Sequence, residues 1–345
     1  MAPVASRRLT EGPQGPIIGS SDAMEQKTQD LLLARFLGAP PDRVDPRGLG
    51  PRGLHPPGAG EAFDFTVVEH HVVWAEGVER LYEQAKERQW NASQDTPWEL
   101  GRGVPEPLER ALCTVLTWMV QQEFAAWYVP SKFIGRIHPA YLEPVLFLST
   151  QVVDEARHVE AFTKRLFLNG VGFVGHYPET EASLRGLIQQ EEFDKASFLL
   201  HVLGEGTFLD LFDFLQKVAP DEASRTLFVR SHEDEARHVA YGVGRLRVQL
   251  GRQPEAAERF VQALEERLGF AREVSGLPEP VLEALVVLAG GAEKGPAFGR
   301  GIARVAEFRH EMSENRIRRL INCGFSESIA RHIDTLHVRA TGSAM

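Results

Sequence analysis

"QVVDEARHVEAF" (Gln151–Phe162) and "SHEDEARHVAYG" (Ser231–Gly242) carry the same pentapeptide, DEARH, eighty positions apart. In each copy a glutamate and a histidine stand three residues apart, Glu155 with His158 and Glu235 with His238. A helix turns about 100° per residue, so residues three apart share a face. One carboxylate and one neutral imidazole on one face can hold the same metal ion, and that pairing suits iron. The first copy follows the mostly apolar run "PVLFLSTQVV". A carboxylate buried there needs a partner, because an isolated buried charge is strongly disfavoured. A bound cation would be such a partner. A single Glu-x-x-His reads equally well as a solvated pair on a helix surface, but two copies with the same flanks argue against that.

If the copies are halves of a dinuclear site, each preceding helix should supply one more carboxylate. "CTVLTWMVQQEFAAWYV" holds a single acid, Glu123, and "FLLHVLGEGTFLDLFDFL" sets Glu205 among Leu, Val and Phe. Glu123 precedes Glu155 by 32 residues and Glu205 precedes Glu235 by 30. With a 1.5 Å rise per residue, both separations let two antiparallel helices joined by a short turn bring the paired acids to one height. Glu191 and Glu192 lie in a more polar segment and read as exposed.

The rest of the chain is consistent with a helical bundle. Helical periodicity runs from about 64 to 338, with helices expected over 65–90, 107–128 (ending before Pro130), 138–168, 182–217 and 220–251. Shorter ones follow at 254–273, 279–289, 295–321 and 326–337. No period-two strand pattern stands out. The fold class is all-α: a four-helix core within about 107–250, inside one helical domain at 62–338. Residues 1–61 form a Pro/Gly-rich arm, disordered over 1–24 and carrying a short helix at 25–37; 339–345 form a disordered tail. Of 345 residues, 43% are hydrophobic and 25% charged, with a net charge of −10. That balance argues against nucleic acid or an anionic membrane as partner. The two cysteines, Cys113 and Cys323, have no neighbour at metal-binding spacing. With no signal-peptide pattern and no membrane-length apolar run, a cytoplasmic location is expected.

DEARH resembles the (D/E)ExRH motif of the carboxylate-bridged di-iron oxygenases. The likeness is to bacterial multicomponent monooxygenase hydroxylases, to acyl-carrier-protein desaturases and, more loosely, to aryl-amine N-oxygenases. It implies a ferritin-like four-helix bundle with accessory N- and C-terminal helices. Its ligand set would be Glu123, Glu155, His158, Glu205, Glu235 and His238, holding two iron ions per chain, or a Mn/Fe pair. It further implies that Asp154 orients His238 and Asp234 orients His158, with Arg157 and Arg237 supporting the aspartates. Two departures stand out. Where reductase small subunits of similar pattern carry a radical tyrosine, this chain has Phe162. Where hydroxylases carry an active-site threonine it has Leu209, with Thr207 nearby, and where desaturases carry theirs it has Phe208. Two further histidines, His201 and His232, lie near the expected ligands as extra donors or hydrogen-bonded structural residues. Trp118, Phe124, Trp127, Thr207 and Phe208 are candidates for a substrate pocket, and the loop "WNASQDTPWEL" for a packed cap.

The function implied is an O2-dependent oxidoreductase that hydroxylates or N-oxygenates a small organic substrate. No flavin fingerprint or Cys-rich iron–sulfur pattern is present, so electrons would come from a ferredoxin or reductase. A homodimer is expected. The alternatives are a desaturase, or a ferroxidase handling iron itself.

Overall fold

The computed structural model describes residues 32–52, 61–175, 177–270 and 277–340. The 1–24 segment, most of the helix expected at 25–37, and residues 341–345 of the tail lie outside these. Among the described residues the chain is helical, with only isolated β-bridges, Arg43 to Glu69 and Val67 to Ile137.

Four long rods make the core. Helix α4 (Glu106–Ile134) starts on Pro107 with Glu106 and Glu109 in its first turn, where fixed backbone and negative charge both favour a helix start. Helix α5 spans Leu142–Leu168. Rod α7 has three consecutive pieces, Phe193–Ser197, the wider π-helical Phe198–Gly204, and Glu205–Val218. Helix α8 (Glu222–Arg252) is capped by Asp221, whose carboxylate accepts from the Ser224 N–H at 2.7 Å. The accessory elements are α1 (Leu33–Leu37), α2 (His70–Val73), α3 (Val78–Glu87), α6 (Pro178–Ile188), α9 (Ala256–Phe270), α10 (Glu279–Gly290), α11 (Gly295–Cys323) and α12 (Glu327–Ala340). Rods α4 and α5 pack as one pair and α7 and α8 as the other; α6 and α10 cover α4, and α11 crosses α7 and α8.

Several expected boundaries move. The helix expected over 65–90 is extended to residue 69 and broken at Gly77 (φ 77°), with β-branched Val67 and Val68 in the extended part. Helix α4 does not stop before Pro130 but runs through it to Ile134, where buried Val129 and Phe133 reward continuation despite the lost backbone bond. The helix expected at 182–217 is two, split at the polar "QQEE" of 189–192. Helix α12 continues to Ala340, two residues into the expected tail.

Two apolar cores lie at opposite ends of the bundle. One takes Val129 and Phe133 of α4, Phe147 of α5, Phe193–Leu203 of α7 and Tyr241–Leu250 of α8. The other takes Leu112–Val120, Ala161–Leu166, Phe208–Val218 and Leu227–Phe228 of the same rods. In every rod most of the buried residues between the two cores are polar, among them Glu123, residues of the first DEARH, Glu205 and residues of the second DEARH. The antiparallel register therefore stacks all four into one buried layer.

The likeness of the two halves runs past five residues. Val159 and Val239 follow the pentapeptide, and Arg165 and Arg245 lie seven beyond each histidine. Both arginines are fully buried and donate through Nε to a serine of the adjoining rod, Ser224 at 2.8 Å and Ser197 at 2.9 Å. The halves part at Phe162 and Gly242, four after each histidine. A Cβ on Gly242 would sit 2.4 Å from the His201 Cβ, so only glycine lets the π segment pass. Gly242→Ala should therefore destabilise the fold by about 1–3 kcal/mol. Gly251→Ala, on the same helix with nothing within 4 Å, should be neutral or stabilising. Denaturant midpoints of the two variants measure this, and equal midpoints would contradict the close-packing argument.

Candidate metal centre

The polar layer gathers all six side chains expected as ligands. Their donor atoms form two groups, each with its atoms within 4.8 Å of one another: Glu123, Glu155, His158 and Glu235 in one, Glu155, Glu205, Glu235 and His238 in the other. Glu155 and Glu235 belong to both, as carboxylates bridging two ions would. All six side chains are buried.

Most of the donor atoms lack other partners. Glu123 Oε1, both Glu155 oxygens, Glu205 Oε2, Glu235 Oε2 and His238 Nδ1 are buried without a hydrogen bond. His238 Nδ1 lies 3.1 Å from Glu155 Oε1, but not in hydrogen-bond alignment. Buried polar atoms are nearly always paired. Orphans converging in two overlapping groups fit a pair of cations, and four carboxylates balance two divalent charges.

Each histidine is oriented from behind by the opposite repeat. His158 Nε2 is 3.1 Å from Asp234 Oδ2, and His238 Nε2 is 3.3 Å from Asp154 Oδ2, so Nδ1 of each ring faces the donor cluster. Arg157 bridges both aspartates, lying 3.0 Å from Asp234, and Arg237 binds Asp234 and approaches Asp154 at 3.5 Å. These four residues are buried, not a surface charge cluster. The "WNASQDTPWEL" loop packs onto them: the buried Trp90 indole donates to Asp234 Oδ2 at 2.8 Å, and Arg157 lies over its ring.

Glu205 has a tether of its own. Arg245 Nε donates to Ser197 Oγ; Ser197 Oγ is 2.8 Å from His201 Nδ1; His201 Nε2 is 3.0 Å from Gln151 Oε1; Gln151 Nε2 donates to Glu205 Oε1 at 2.7 Å. Burial, then the charge of His238, lowers the His201 pKa to about 3, so the ring is neutral and has one proton to give. The donors therefore run in one direction, each group passing its hydrogen toward the carboxylate, and His201 Nε2 carries the ring proton. His201 belongs to neither donor group. His232 does not either; it is partly exposed, 3.3 Å from Asp213.

The pocket residues fare unevenly. An apolar cleft of about 380 Å³, counting its mouth, opens beside the donors. Phe208 lines it and stacks on Trp118. Phe124 and Trp127 do not: they are 50% and 38% exposed and lean on each other, because among the described residues no other element covers that side of α4. Thr207 is absent from the lining too, its hydroxyl donating back to Leu203 O at 2.7 Å. Glu191 is paired on the surface with Lys132 and Arg136. Sequence reasoning missed Gln151 and the cleft residue Arg267, and gave Trp90 only as part of a packed loop. Gln151 did leave a signal, a lone amide one turn before Glu155 in an apolar run.

Fold comparison places this arrangement among known structures. An R2-like ligand-binding oxidase with an aerobically reconstituted Mn/Fe cofactor superposes with a TM-score of 0.57 at 19% identity, covering 74% of this chain and 94% of that one. A single-residue variant with an aerobically reconstituted Fe/Fe cofactor gives 0.56 at 18%, covering 72% and 93%. The likeness establishes a shared fold, the ferritin-like bundle. By sequence, no protein-family model and no curated protein matches the chain.

The electrostatics of the metal-free cluster set a pH test. Burial raises Glu123 and Glu205 well above the usual carboxylate range, and burial with the nearby Glu155 charge raises Glu235 to about 7. For His158 and His238 burial opposes the charge, but the facing carboxylates outweigh it and raise both. The metal-free fold thus binds more protons than the unfolded chain. Its stability should fall as pH rises, from about 4.5 to 7 for Glu235 and above 6.5 for the histidines. Glu155 and Asp234 are lowered, mainly by the histidines overcoming burial, so their contribution is lost below the ordinary carboxylate range. Metal binding requires the deprotonated donors and should reverse the trend. We expect metal-free protein to melt lower at pH 8 than at pH 6 and metal-loaded protein not to; parallel melting profiles would contradict the site.

Proposed function

We propose that the chain is an O2-dependent di-metal oxidase that hydroxylates or N-oxygenates a small organic substrate with electrons supplied from outside. The observation that carries this reading is the pair of overlapping donor groups, sharing Glu155 and Glu235, beside an apolar cleft. Glu123 and His158 would hold one metal and Glu205 and His238 the other. Fe/Fe and Mn/Fe pairs both suit such donors. When bound, the pair supplies the redox chemistry with O2.

The protein's own groups do the rest. Asp154 and Asp234 hold the Nε2 sides of the histidines and keep Nδ1 toward the cluster. Gln151 fixes one oxygen of Glu205 and leaves the other free. The two apolar cores keep water from the layer on both sides, and the cleft admits a substrate to one flank. That cleft favours an organic substrate over iron storage, which needs no apolar chamber beside the donors. Desaturation remains the second chemistry the same site would support. The sequence carries no flavin fingerprint and no Cys-rich cluster pattern, and a ferredoxin or reductase is the proposed donor. No helix among the described residues is long and apolar enough to cross a membrane, in keeping with the proposed cytoplasmic setting. A homodimer is the proposed assembly.

The metal reading is tested by elemental analysis. We expect about two ions per chain, falling by at least half in Glu155→Ala and in Glu235→Ala, since each side chain serves both groups. Full retention in both variants would sink the assignment. The oxidase reading is tested by exposing reduced protein to O2 with arylamines, acyl carriers and simple aromatics. Iron oxidation without organic product, in large cages, would point to iron handling instead.

A further inference from the structure

The cleft beside the donor cluster contains one basic side chain. Ala125, Leu187, Leu199 and Phe208 give it apolar walls, Glu123, Glu205 and Glu235 join it to the cluster, and Arg267 of α9 completes the lining. Arg267 is 8% exposed, yet among the described residues its hydrogen bonds go only to Ser183: Nε to the carbonyl at 3.3 Å and Nη2 to Oγ at 3.2 Å. Both are long for a charged donor. Among the described residues no carboxylate pairs with it, and Nη1 has no acceptor.

The other buried arginines contrast with it. Arg52 pairs with Glu143, Arg165 with Glu109 and Asp221, and Arg316 with Asp334; Arg245 makes four hydrogen bonds. Burial lowers the Arg267 pKa only to about 10, so it stays charged at neutral pH. A buried guanidinium without a counter-ion is strongly disfavoured. One that lines a ligand cleft is poised to take its counter-ion from the ligand.

We propose that Arg267 anchors the carboxylate of a small monoanionic substrate whose apolar body lies along the cleft toward the donor cluster. The assignment rests on the oxidase reading and narrows its substrate class. A planar guanidinium fork matches a carboxylate through two parallel bonds. Two divalent ions would balance the four glutamates and leave Arg267 as the uncompensated charge among the described lining residues, which calls for a single negative charge rather than a phosphate dianion.

Benzoate and its neutral isostere benzamide are the probes, titrated by calorimetry into wild-type protein, R267M and R267K, each metal-free and iron-loaded. Metal content and circular dichroism are followed in parallel. Wild type should prefer benzoate by roughly tenfold or more in both metal states. R267M should lose that preference while keeping its helicity and iron, and R267K, with charge but no fork, should fall between. An unchanged preference in R267M overturns the proposal. So does a preference seen only with iron bound, which would place the carboxylate on the metal. If R267M does not fold, metal-free wild type decides, and no preference for the anion there overturns the proposal. A chain that binds no iron but keeps an Arg267-dependent preference supports the anchor and removes the oxidase reading alone.

Discussion

Six ionisable side chains meet in one buried layer with too few partners, and most of the structure can be understood as the means of holding them there. Leaving Glu155 without a hydrogen bond to either oxygen is costly in a medium that excludes water. Metal-free protein relieves part of that cost by keeping protons on Glu123, Glu205 and Glu235, whose affinities are raised by burial. A pair of cations relieves it more completely. The layer is thus unfavourable by itself and is stabilised by what binds to it. The apolar cores above and below must supply the folding energy that the layer does not.

The alignment of the layer comes from antiparallel rods of matched length. Each passes from one core through the donors to the other core, α4 and α8 in one order and α5 and α7 in the reverse. A shift by one turn in any rod would carry a carboxylate into an apolar core, so the fold and the site fix the same register. Outside the donors, buried ion pairs reinforce that register: Arg165 ties α5 to Glu109 of α4 and to Asp221 at the start of α8. Such pairs specify alignment more than they add net stability.

What could be read from sequence follows the range over which each signal acts. The helices and the six donors were legible because they repeat at helical spacing within single elements, and because Glu123 and Glu205 are lone acids in apolar runs. The crossing of Asp154 to His238 and of Asp234 to His158 followed from family resemblance. Trp90, Gln151 and Arg267 were not legible as site residues, because each acts across elements brought together only by folding. Phe124 and Trp127 misled for a related reason: an aromatic near a ligand in sequence says nothing about whether another helix covers its side. Pro130 misled because local backbone preference was outweighed by burial of its neighbours.

The two halves are alike in their donors and unlike in what stands behind them. Each donor group has the two shared glutamates, one further glutamate and one histidine, and so by itself gives no basis for treating two metals differently. The asymmetry is one step further out. Behind His158 the fully buried Phe162 stacks at 6.1 Å. At the equivalent place beyond His238, Gly242 clears the path for His201, and the chain from Arg245 through Ser197, His201 and Gln151 fixes one oxygen of Glu205. Glu123 has no such tether; its one hydrogen-bond contact is His158, at 3.4 Å. A held carboxylate and a freer one differ in how readily they change between one and two bonds to a metal, and contacts of this kind tune the metals they surround. The residue four places after each histidine, glycine in one repeat and phenylalanine in the other, would therefore be one source of difference between the two metal positions, beside the Trp90 indole that reaches only Asp234.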